Sequence, residues 1–252
     1  MNIRNWEVRP LDKDRAAALA QAYNIPFFLA MLLNIRGVDR SEEIEAFLGA
    51  GAPLSDPFLL KDMDRAAERI TRAIDAMEKI AVYGDYDADG VTSTAMVYSY
   101  LETRGADVMF YIPQREGEGY GMNIAAVEHL ASLGVTLIIT VDNGISSIRE
   151  VERAKALGVD VVVTDHHRPQ ETLPAAVAVV DAYRKDDESP CKDFSGAGIA
   201  FKLLMALEEG AGDLDDLLET YGDLAAIGTI GDVVPLTGEN RTLVNAGLRL
   251  LS

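Results

Sequence analysis

The chain has 252 residues, and 48% of them are hydrophobic, which is enough for a sizeable core and argues against disorder. Its formal net charge is −18, from 41 acidic and 23 basic residues, so no general basic surface is available for a polyanion. Any strong grip on a polyanion would need a local basic patch or sequence outside this chain. Cys191 is the single cysteine, which excludes an internal disulfide framework and a cysteine-based zinc cluster.

The sequence shows neither a charged-then-apolar leader nor an apolar run of membrane-spanning length. We therefore expect a soluble, cytoplasmic protein with no membrane partner.

Up to about residue 77 the patterns are helical and bring no metal-ligand cluster. Ile25–Ile35 is apolar, Ser41 begins a pattern with acid in its first turn, and Met63–Met77 is amphipathic. We predict a helical lead-in over residues 1–77 and a second domain over residues 78–252.

From Lys79 onwards, strand and helix patterns alternate. The predicted strands are Ile80–Tyr83, Val108–Ile112, Thr136–Val141, Val159–Val163 and Ala176–Val180. The predicted helices are Val91–Thr103, Ile124–Leu133, Ile148–Leu157, Ile199–Glu209, Leu214–Leu224 and Asn240–Leu251. Strands separated by helices of this length predict an α/β fold, a mainly parallel sheet flanked by helices.

The most informative stretch runs from Lys79 to Thr94. An apolar run closed by Gly84 predicts a buried strand, and Asp85, Asp87 and Asp89 follow at alternating positions on the turn before the next helix. Closely spaced carboxylates repel one another unless a hard divalent cation binds them. The alternative is an acidic turn exposed to solvent.

Later strand ends carry similar residues. Asp142–Gly144 and Asp165–His167 each follow a predicted strand, and Gly228–Asp232 places an aspartate after a glycine pair. Each has an ordinary alternative, since Asn-Gly favours a tight turn and an aspartate can cap a helix. Ligands bind outside the carboxyl ends of strands in such sheets, so their coincidence at one edge favours a metal site.

These motifs together carry a resemblance. The segments G-D-Y-D-A-D-G, V-D-N-G, T-D-H-H and G-A-G-I-A-F-K-L resemble the DHH phosphoesterase superfamily, named for its Asp-His-His triplet, and within it the RecJ branch of single-strand-specific exonucleases. The match runs from about Pro57 to the end and is weaker in the lead-in. The resemblance implies that residues 78–252 are the catalytic DHH domain. Because the chain stops at a helical pattern, we expect it to be cut short of the family's DHHA1 and OB-type domains.

The resemblance also implies roles for individual residues. The positions that match the family's metal ligands are Asp87, Asp89, Asp142, His166 and Asp232, with Asp142 as the bridge between two ions. Asp85 and Asp165 match acidic catalytic positions beside the metals, and His167 matches the phosphate-contacting histidine. The oxygen-rich set suits two Mn²⁺ ions, or Mg²⁺, better than zinc.

Two further features are candidates for holding a phosphate. Ser195, Gly196 and Gly198 stand at a helix N-terminus, where backbone N–H groups attract anions, although tight helix packing would equally explain the small residues. Arg115 lies in a glycine-rich loop and could pair with a nucleic-acid phosphate or simply be solvated.

The activity implied is two-metal hydrolysis of phosphodiesters, as a 5′-to-3′ exonuclease on single-stranded DNA that releases nucleoside 5′-monophosphates in DNA repair and recombination. Tyr83 stands where the small-substrate phosphoesterases of the superfamily have a histidine, which favours the nuclease. The alternatives are a phosphoesterase acting on nanoRNA, cyclic dinucleotides or pyrophosphate, and a non-catalytic scaffold. We expect weak binding of single strands by this chain alone, with single-strand-binding or replication and repair proteins as candidate partners and the oligomeric state left open.

Overall fold

A computed structural model describes residues 10–38, 40–49, 51–117, 119, 121–208 and 214–252. The chain forms two compact units, residues 1–51 and 52–252. The first unit contains the helices α1 (Lys13–Ala22), α2 (Phe27–Arg36) and α3 (Ser41–Leu48). Asp12 caps α1 by accepting a 2.9 Å hydrogen bond from the N–H of Arg15, and α2 ends at Gly37 with a left-handed φ of +72°.

The second unit begins earlier than the sequence analysis predicted. It contains a 3₁₀ turn (Pro57–Leu59) and α4 (Met63–Asp75), which the predicted boundary at 77/78 assigned to the lead-in. The amphipathic face of α4 explains the difference, because Ala66, Ile70 and Ala73 are fully buried in the same core as the sheet. Packing thus places the boundary at 51/52.

The remaining elements alternate as predicted from Lys79 onwards. The strands are β1 (Lys79–Tyr83), β2 (Asp107–Tyr111), β3 (Leu137–Val141), β4 (Asp160–Thr164) and β5 (Ala178–Val180). The helices are α5 (Ala88–Thr103), α6 (Ile124–Ser132), α7 (Ile148–Ala156), α8 (Gly196–Glu208), α9 (Leu214–Gly231) and α10 (Gly238–Leu250). Among the described helices, none has both the length and the apolar character needed to cross a membrane.

The five strands form one parallel sheet in the order β2-β1-β3-β4-β5. Alternate residues of each strand face opposite layers: Ile80 and Val82 of β1 pack in the core with α4, α5 and α8, whereas Ala81 and Tyr83 pack with α6 and α7. All of β3 is buried, as expected for a central parallel strand covered on both faces. The α/β architecture is therefore confirmed.

Buried charges at the amino edge of this sheet are paired. Arg69 of α4 is 5% exposed, and its guanidinium lies 2.7 Å from Asp160 at the start of β4 and 2.7 Å from Glu78 just before β1. The bonds tie α4 to two neighbouring strands. They also hold the pKa of Glu78 below its usual value, against the opposing effect of its partial burial.

Several helix bounds differ from the predicted ones. α5 begins at Ala88 rather than Val91, because Asp87 caps it and Asp89 in its first turn complements the helix dipole. α9 runs to Gly231 rather than to Leu224, and α8 begins at Gly196. The predicted end of α8 at Glu209 falls outside the described residues.

Candidate metal centre

Four neighbouring strands carry an aspartate at their carboxyl ends. Asp142, Asp165 and Asp181 directly follow β3, β4 and β5, and Asp85 follows β1 after Gly84. Each of the four aspartates is at most 2% exposed. Because the strands are parallel and adjacent, these side chains share one edge of the sheet, at the point where the strand order reverses between β1 and β3. Ligands of open α/β sheets bind at such a switch point.

Asp87 and Asp89 reach the same edge from the start of α5. Asp87 Oδ1 accepts a 2.9 Å hydrogen bond from the N–H of Gly90, which caps the helix. Asp89 is buried in the first turn, and its two oxygens accept hydrogen bonds from the N–H groups of Gly196 (2.6 Å) and Ala197 (2.8 Å). The N-terminus of α8 therefore holds a carboxylate of the protein itself.

The small residues at the start of α8 allow this close approach. A Cβ at Gly196 would lie 2.5 Å from the Cβ of Asp142. Ser195 Oγ accepts a 3.1 Å hydrogen bond from the N–H of Gly198 and lies 3.1 Å from Thr229 Oγ1. These donors, which the sequence analysis offered to a phosphate, are engaged within the protein, and tight packing of α8 explains the glycines.

Asp142 and His166 stand at the centre of the cluster. Asp142 Oδ1 lies 3.0 Å from His166 Nε2. The same imidazole lies 3.7 Å from Asp89 Oδ2 through Nε2 and 3.7 Å from Asp232 Oδ2 through Nδ1. Asp142 has a left-handed φ of +61°, a rare conformation for a residue other than glycine that concentrates at functional sites.

Asp232 enters the cluster from the end of α9, not from a strand. Its N–H donates to the carbonyl of Gly228 at 2.9 Å, so it continues the last turn of the helix. A Cβ at Gly228 would lie 2.7 Å from Asp89 Oδ1 and 2.5 Å from Thr92 Oγ1. The glycine therefore allows α9 to pack directly against α5 beside the carboxylates.

Asp165 is a fully satisfied carboxylate that orients the second histidine. Its Oδ2 accepts a 2.8 Å hydrogen bond from the N–H of Ile145, and its Oδ1 lies 2.7 Å from His167 Nδ1. Burial alone would raise the pKa of Asp165, but these hydrogen bonds lower it overall. The bond from Asp165 raises the pKa of His167, whose side chain is 45% exposed. His167 thus extends from the cluster towards solvent with a raised affinity for a proton.

The described residues offer three sets of ligand atoms in which all atoms lie within 4.8 Å of one another. The sets are Asp89, His166 and Asp232; Asp85, Asp87 and Asp142; and Asp142, His166 and His167. The first two share no residue, and Asp142 and His166 link them through the third. Every predicted metal ligand is therefore brought together, and Asp85 joins them.

Hydrogen bonding leaves ligand atoms of this cluster unused. Both carboxylate oxygens of Asp85 are buried without a well-formed hydrogen bond in the described part of the chain, and the buried Asp142 Oδ1 and His166 Nε2 face each other at 3.0 Å. Elsewhere a buried charge is paired, as in the 2.8 Å contact of Lys202 with Glu239. Unpaired buried carboxylates are unfavourable alone and become favourable around a hard cation. The donor set therefore fits divalent metal ions.

Burial dominates proton affinity in the cluster. It raises the pKa of Asp85 and of Asp142, and it raises the pKa of Asp89 to about 6 against the opposing N–H donors of α8. Burial alone would lower the pKa of His166, but the neighbouring carboxylates, with Asp142 first, raise it overall. Protons and cations therefore compete for the same atoms, and metal affinity is expected to rise with pH.

Asp181 was missed by the sequence analysis, although its position directly after a strand pattern was a usable signal. Its Oδ1 accepts a 2.7 Å hydrogen bond from the N–H of Tyr183, while its buried Oδ2 has no partner among the described residues. Burial raises the pKa of Asp181 to about 7, and the charge of Asp165 adds to the rise. It belongs to none of the three ligand sets formed by the described residues.

Two arginines extend from loops at this edge. The guanidinium of Arg115 lies 5.4 Å from the ring centroid of Tyr86, and that of Arg168 lies 4.6 Å from the ring centroid of Tyr183. Both arginines are exposed, and each keeps its charge available beside an acidic cluster. The sequence analysis named Arg115 only, yet Arg168 directly follows His167 and could have been found from that position.

Tyr83 lies beneath the edge, in the core. Its hydroxyl donates to the carbonyl of Gly121 at 3.2 Å, and its ring centroid lies 5.1 Å from that of Tyr111. The side chain is fully buried and belongs to none of the ligand sets. No nitrogen ligand is therefore supplied from this position.

Known proteins are similar to this chain in sequence and in fold. The single-stranded-DNA-specific exonuclease RecJ of Bacillus subtilis (strain 168) is 46% identical over 247 residues, which cover 98% of this chain and 31% of that protein. A crystal structure of exonuclease RecJ bound to manganese is 44% identical, with a TM-score of 0.70 over 78% of this chain and 49% of the other.

A crystal structure of RecJ from Thermus thermophilus in complex with Mn²⁺ is 36% identical, with a TM-score of 0.76 over 96% of this chain and 34% of the other. The chain thus spans about a third of the length of such relatives. Residues 79–229 match the DHH family, N-terminal domain, a stretch that contains β1, all five strand ends and every residue of the cluster except Asp232. With more than half of its length in that match, the chain belongs to the DHH family.

Proposed function

We propose that this chain is the catalytic part of a metal-dependent exonuclease that degrades single-stranded DNA from the 5′ end and releases nucleoside 5′-monophosphates in DNA repair and recombination. The observation that carries the proposal is the convergence of buried ligand atoms of Asp85, Asp142 and His166 at one sheet edge. Membership of the DHH family and the likeness to RecJ proteins support the choice of substrate.

Two Mn²⁺ ions, or Mg²⁺ as the alternative hard cation, would be held by the ligand sets of the cluster. Asp89, His166 and Asp232 would hold one ion, Asp85 and Asp87 the other, and Asp142 would lie between them. Bound ions would make water a stronger nucleophile and stabilise charge on the phosphoryl oxygens. The ligands bring no thiolate, which disfavours zinc.

The chain's own residues then position the substrate and its protons. Asp165 holds His167 so that the far side of the imidazolium can donate to a non-bridging phosphate oxygen. Asp85 can accept a proton, because burial raises its pKa overall, against the opposing backbone hydrogen bond from Tyr86. Arg115 and Arg168 can pair with neighbouring phosphates of the strand.

We expect this chain to hold a long strand weakly. Its net charge is −18, so a grip on many phosphates must come from other parts of a longer protein or from single-strand-binding, replication or repair proteins. A cytoplasmic location, in keeping with a single cysteine, belongs to the same proposal.

The same charge favours a second candidate. A phosphoesterase acting on short oligonucleotides, cyclic dinucleotides or pyrophosphate needs no basic track, and among the described residues two arginines stack on aromatic rings at the rim. The core position of Tyr83 speaks against it, because the site then lacks the extra histidine implied for that branch.

The deciding assay is hydrolysis of a 5′-labelled single-stranded DNA oligomer with Mn²⁺, beside Asp142→Ala and the remote control Asp107→Asn. We expect labelled mononucleotide from the wild type and Asp107→Asn, and none from Asp142→Ala. Turnover of a dinucleotide or pyrophosphate without release from the oligomer would establish the second candidate instead. An inert wild type with bound Mn²⁺ would contradict both and leave a scaffold.

A further inference from the structure

Val233 occupies a position at which a valine is unfavourable. It follows α9 as the residue after Asp232, and its N–H donates to the carbonyl of Ile230 at 3.2 Å. Its φ is +61°, the left-handed conformation that ends helices and is normally taken by glycine or asparagine. A β-branched side chain clashes with its own backbone there, which destabilises the fold.

Packing does not offset this strain. The Val233 side chain is 84% exposed, so the fold gains almost no apolar burial from it. Exposed strain beside a site is a signature of a functional constraint. Contacts within the folded chain therefore do not explain why a valine occupies position 233.

Val233 belongs to a row of exposed apolar side chains. Ile227, Ile230, Val233 and Leu236, here called the apolar strip, are between 38% and 84% exposed and recur at every third position. Strips of this kind on soluble proteins mark contact surfaces. Asp232 lies within the strip and its Oδ2 is 3.7 Å from His166, so the strip borders the metal centre.

The packing of α9 against α5 determines which part of the metal centre lies next to the apolar strip. A Cβ at Gly231 would lie 3.0 Å from the Cβ of Ala88, in the first turn of α5 between Asp87 and Asp89. The end of α9 therefore abuts the helix start that carries these two carboxylates. A phosphate at the cluster would therefore lie beside the end of α9, where Val233 directly follows Asp232.

The geometry points to Val233 as a substrate-positioning residue that packs against the base and sugar of the nucleotide whose phosphate lies at the metal centre. This inference rests on the proposed function. An apolar contact suits a nuclease without sequence preference, because every base has an apolar face but bases differ in their polar edges. The strip would then select nucleotides over smaller phosphate esters.

The test uses two 5′-phosphorylated thymidine oligomers, one with an abasic tetrahydrofuran residue in place of the second nucleotide, whose 5′-phosphate is the first to be cleaved. We compare KM and kcat with Mn²⁺ for the wild type and four variants: Val233→Gly, Val233→Asn, the conservative Val233→Ile and the remote control Leu133→Asn. Removing the base should raise the KM of the wild type roughly tenfold, as expected for one lost apolar contact. Val233→Gly and Val233→Asn should show the higher KM with the normal oligomer and no further rise with the abasic one.

Melting temperatures distinguish a substrate contact made by Val233 from a purely structural role of this residue. Val233→Gly and Val233→Asn relieve the strain, so both should melt at or above the wild-type temperature while losing base discrimination, and Val233→Ile should keep it. Equal discrimination between the normal and the abasic oligomer in wild type and Val233→Gly would overturn the inference. A KM difference that depends on protein concentration would also overturn it, because it would indicate that a second copy of the chain covers the apolar strip. Failure of the wild type to cleave either oligomer would instead reject the proposed function.

Discussion

At the scale of single residues, the hydrogen bonding of each buried carboxylate determines its role in the metal centre. Asp142 is 2% exposed and in a left-handed conformation, and its Oδ1 lies 3.0 Å from His166 Nε2, another candidate metal ligand. Asp165, the next strand end, is equally buried but fully bonded. One carboxylate is thus arranged to bind a cation and the other to orient a histidine.

Replacing Asp142 with asparagine should stabilise the metal-free protein. Asparagine tolerates the left-handed backbone, and the change removes a carboxylate whose charge is disfavoured overall, since burial raises its pKa despite the contact with His166, so we expect Tm in a chelator to rise by about 2–4 °C. The further rise in Tm with saturating Mn²⁺ should shrink or vanish, because ligand binding stabilises only in proportion to affinity. Differential scanning fluorimetry measures both.

Asp107→Asn, an exposed acid at the start of β2, is the matched control and should show neither change. A drop in the metal-free Tm of Asp142→Asn, with an undiminished response to Mn²⁺, would show that Asp142 has a structural role instead.

Asp181 should make stability depend on pH. Its folded-state pKa is raised by burial to about 7 from a usual value of 3.8, so the folded protein binds a proton more tightly than the unfolded chain. The associated stability is present below about pH 4 and is lost as the pH rises through 7. Asp181→Asn should therefore reduce the loss of unfolding free energy between pH 5 and 8 by on the order of 2–4 kcal/mol. Urea unfolding at the two pH values measures it, and parallel losses in both proteins would reject this assignment.

Helices, at the next scale, are brought to the cluster by glycines. α9 packs against α5 and α8, and Gly228 lies where a Cβ would meet Ala197 at 2.5 Å and Asp89 at 2.7 Å. Gly222, two turns earlier in the same helix, would meet only Leu250 at 3.4 Å and Gly247 at 3.7 Å. The two glycines thus form a natural pair for comparison.

Gly228→Ala should destabilise the protein by about 1–3 kcal/mol through overpacking and should weaken Mn²⁺ binding, because Asp89 must move. Gly222→Ala should be neutral or stabilise by up to about 1 kcal/mol, since alanine favours a helix interior. Chemical denaturation and calorimetric titration with Mn²⁺ measure the two effects. Equal behaviour of both variants would mean that close packing at Gly228 is not needed.

Sequence patterns predicted the elements better than their ends. The five strands and the helices between them follow from apolar runs and helical spacing, and the aspartates after β1, β3 and β4 were recognised from position alone. The full length of α9 was not predicted, because its closely spaced glycines resemble a helix stop in the sequence. Only the packing against α5 shows that Gly228 is a contact point within a helix.

Contacts across the chain account for what the sequence analysis could not show. The glycines at the start of α8 resembled a phosphate cradle, yet Asp89, far away in sequence, accepts hydrogen bonds from Gly196 and Ala197. Whether an N–H group is free for a ligand depends on such pairings. Arg168 and Asp181 were missed for a different reason. Each directly follows a motif or strand that the sequence analysis had recognised, but neither residue was considered.

The charge of the whole molecule opposes its proposed substrate. With a net charge of −18, the chain should bind a single strand through few cationic contacts. Arg115→Gln and Arg168→Gln should each reduce the slope of log Kd against log salt concentration by about 0.7. Lys155→Gln, an exposed lysine in the last turn of α7, should leave the slope unchanged. Fluorescence anisotropy with a labelled oligomer measures the slopes, and equal slopes for all three variants would rule out the arginine contacts.

The central claim is that one sheet edge binds two hard cations that share Asp142. The most direct measurement is anomalous diffraction at the manganese edge from crystals of this chain grown with Mn²⁺. We predict two peaks, one contacted by Asp89, His166 and Asp232 and one by Asp85 and Asp87, with Asp142 between them. A single peak, or two peaks without a shared contact to Asp142, would contradict the claim.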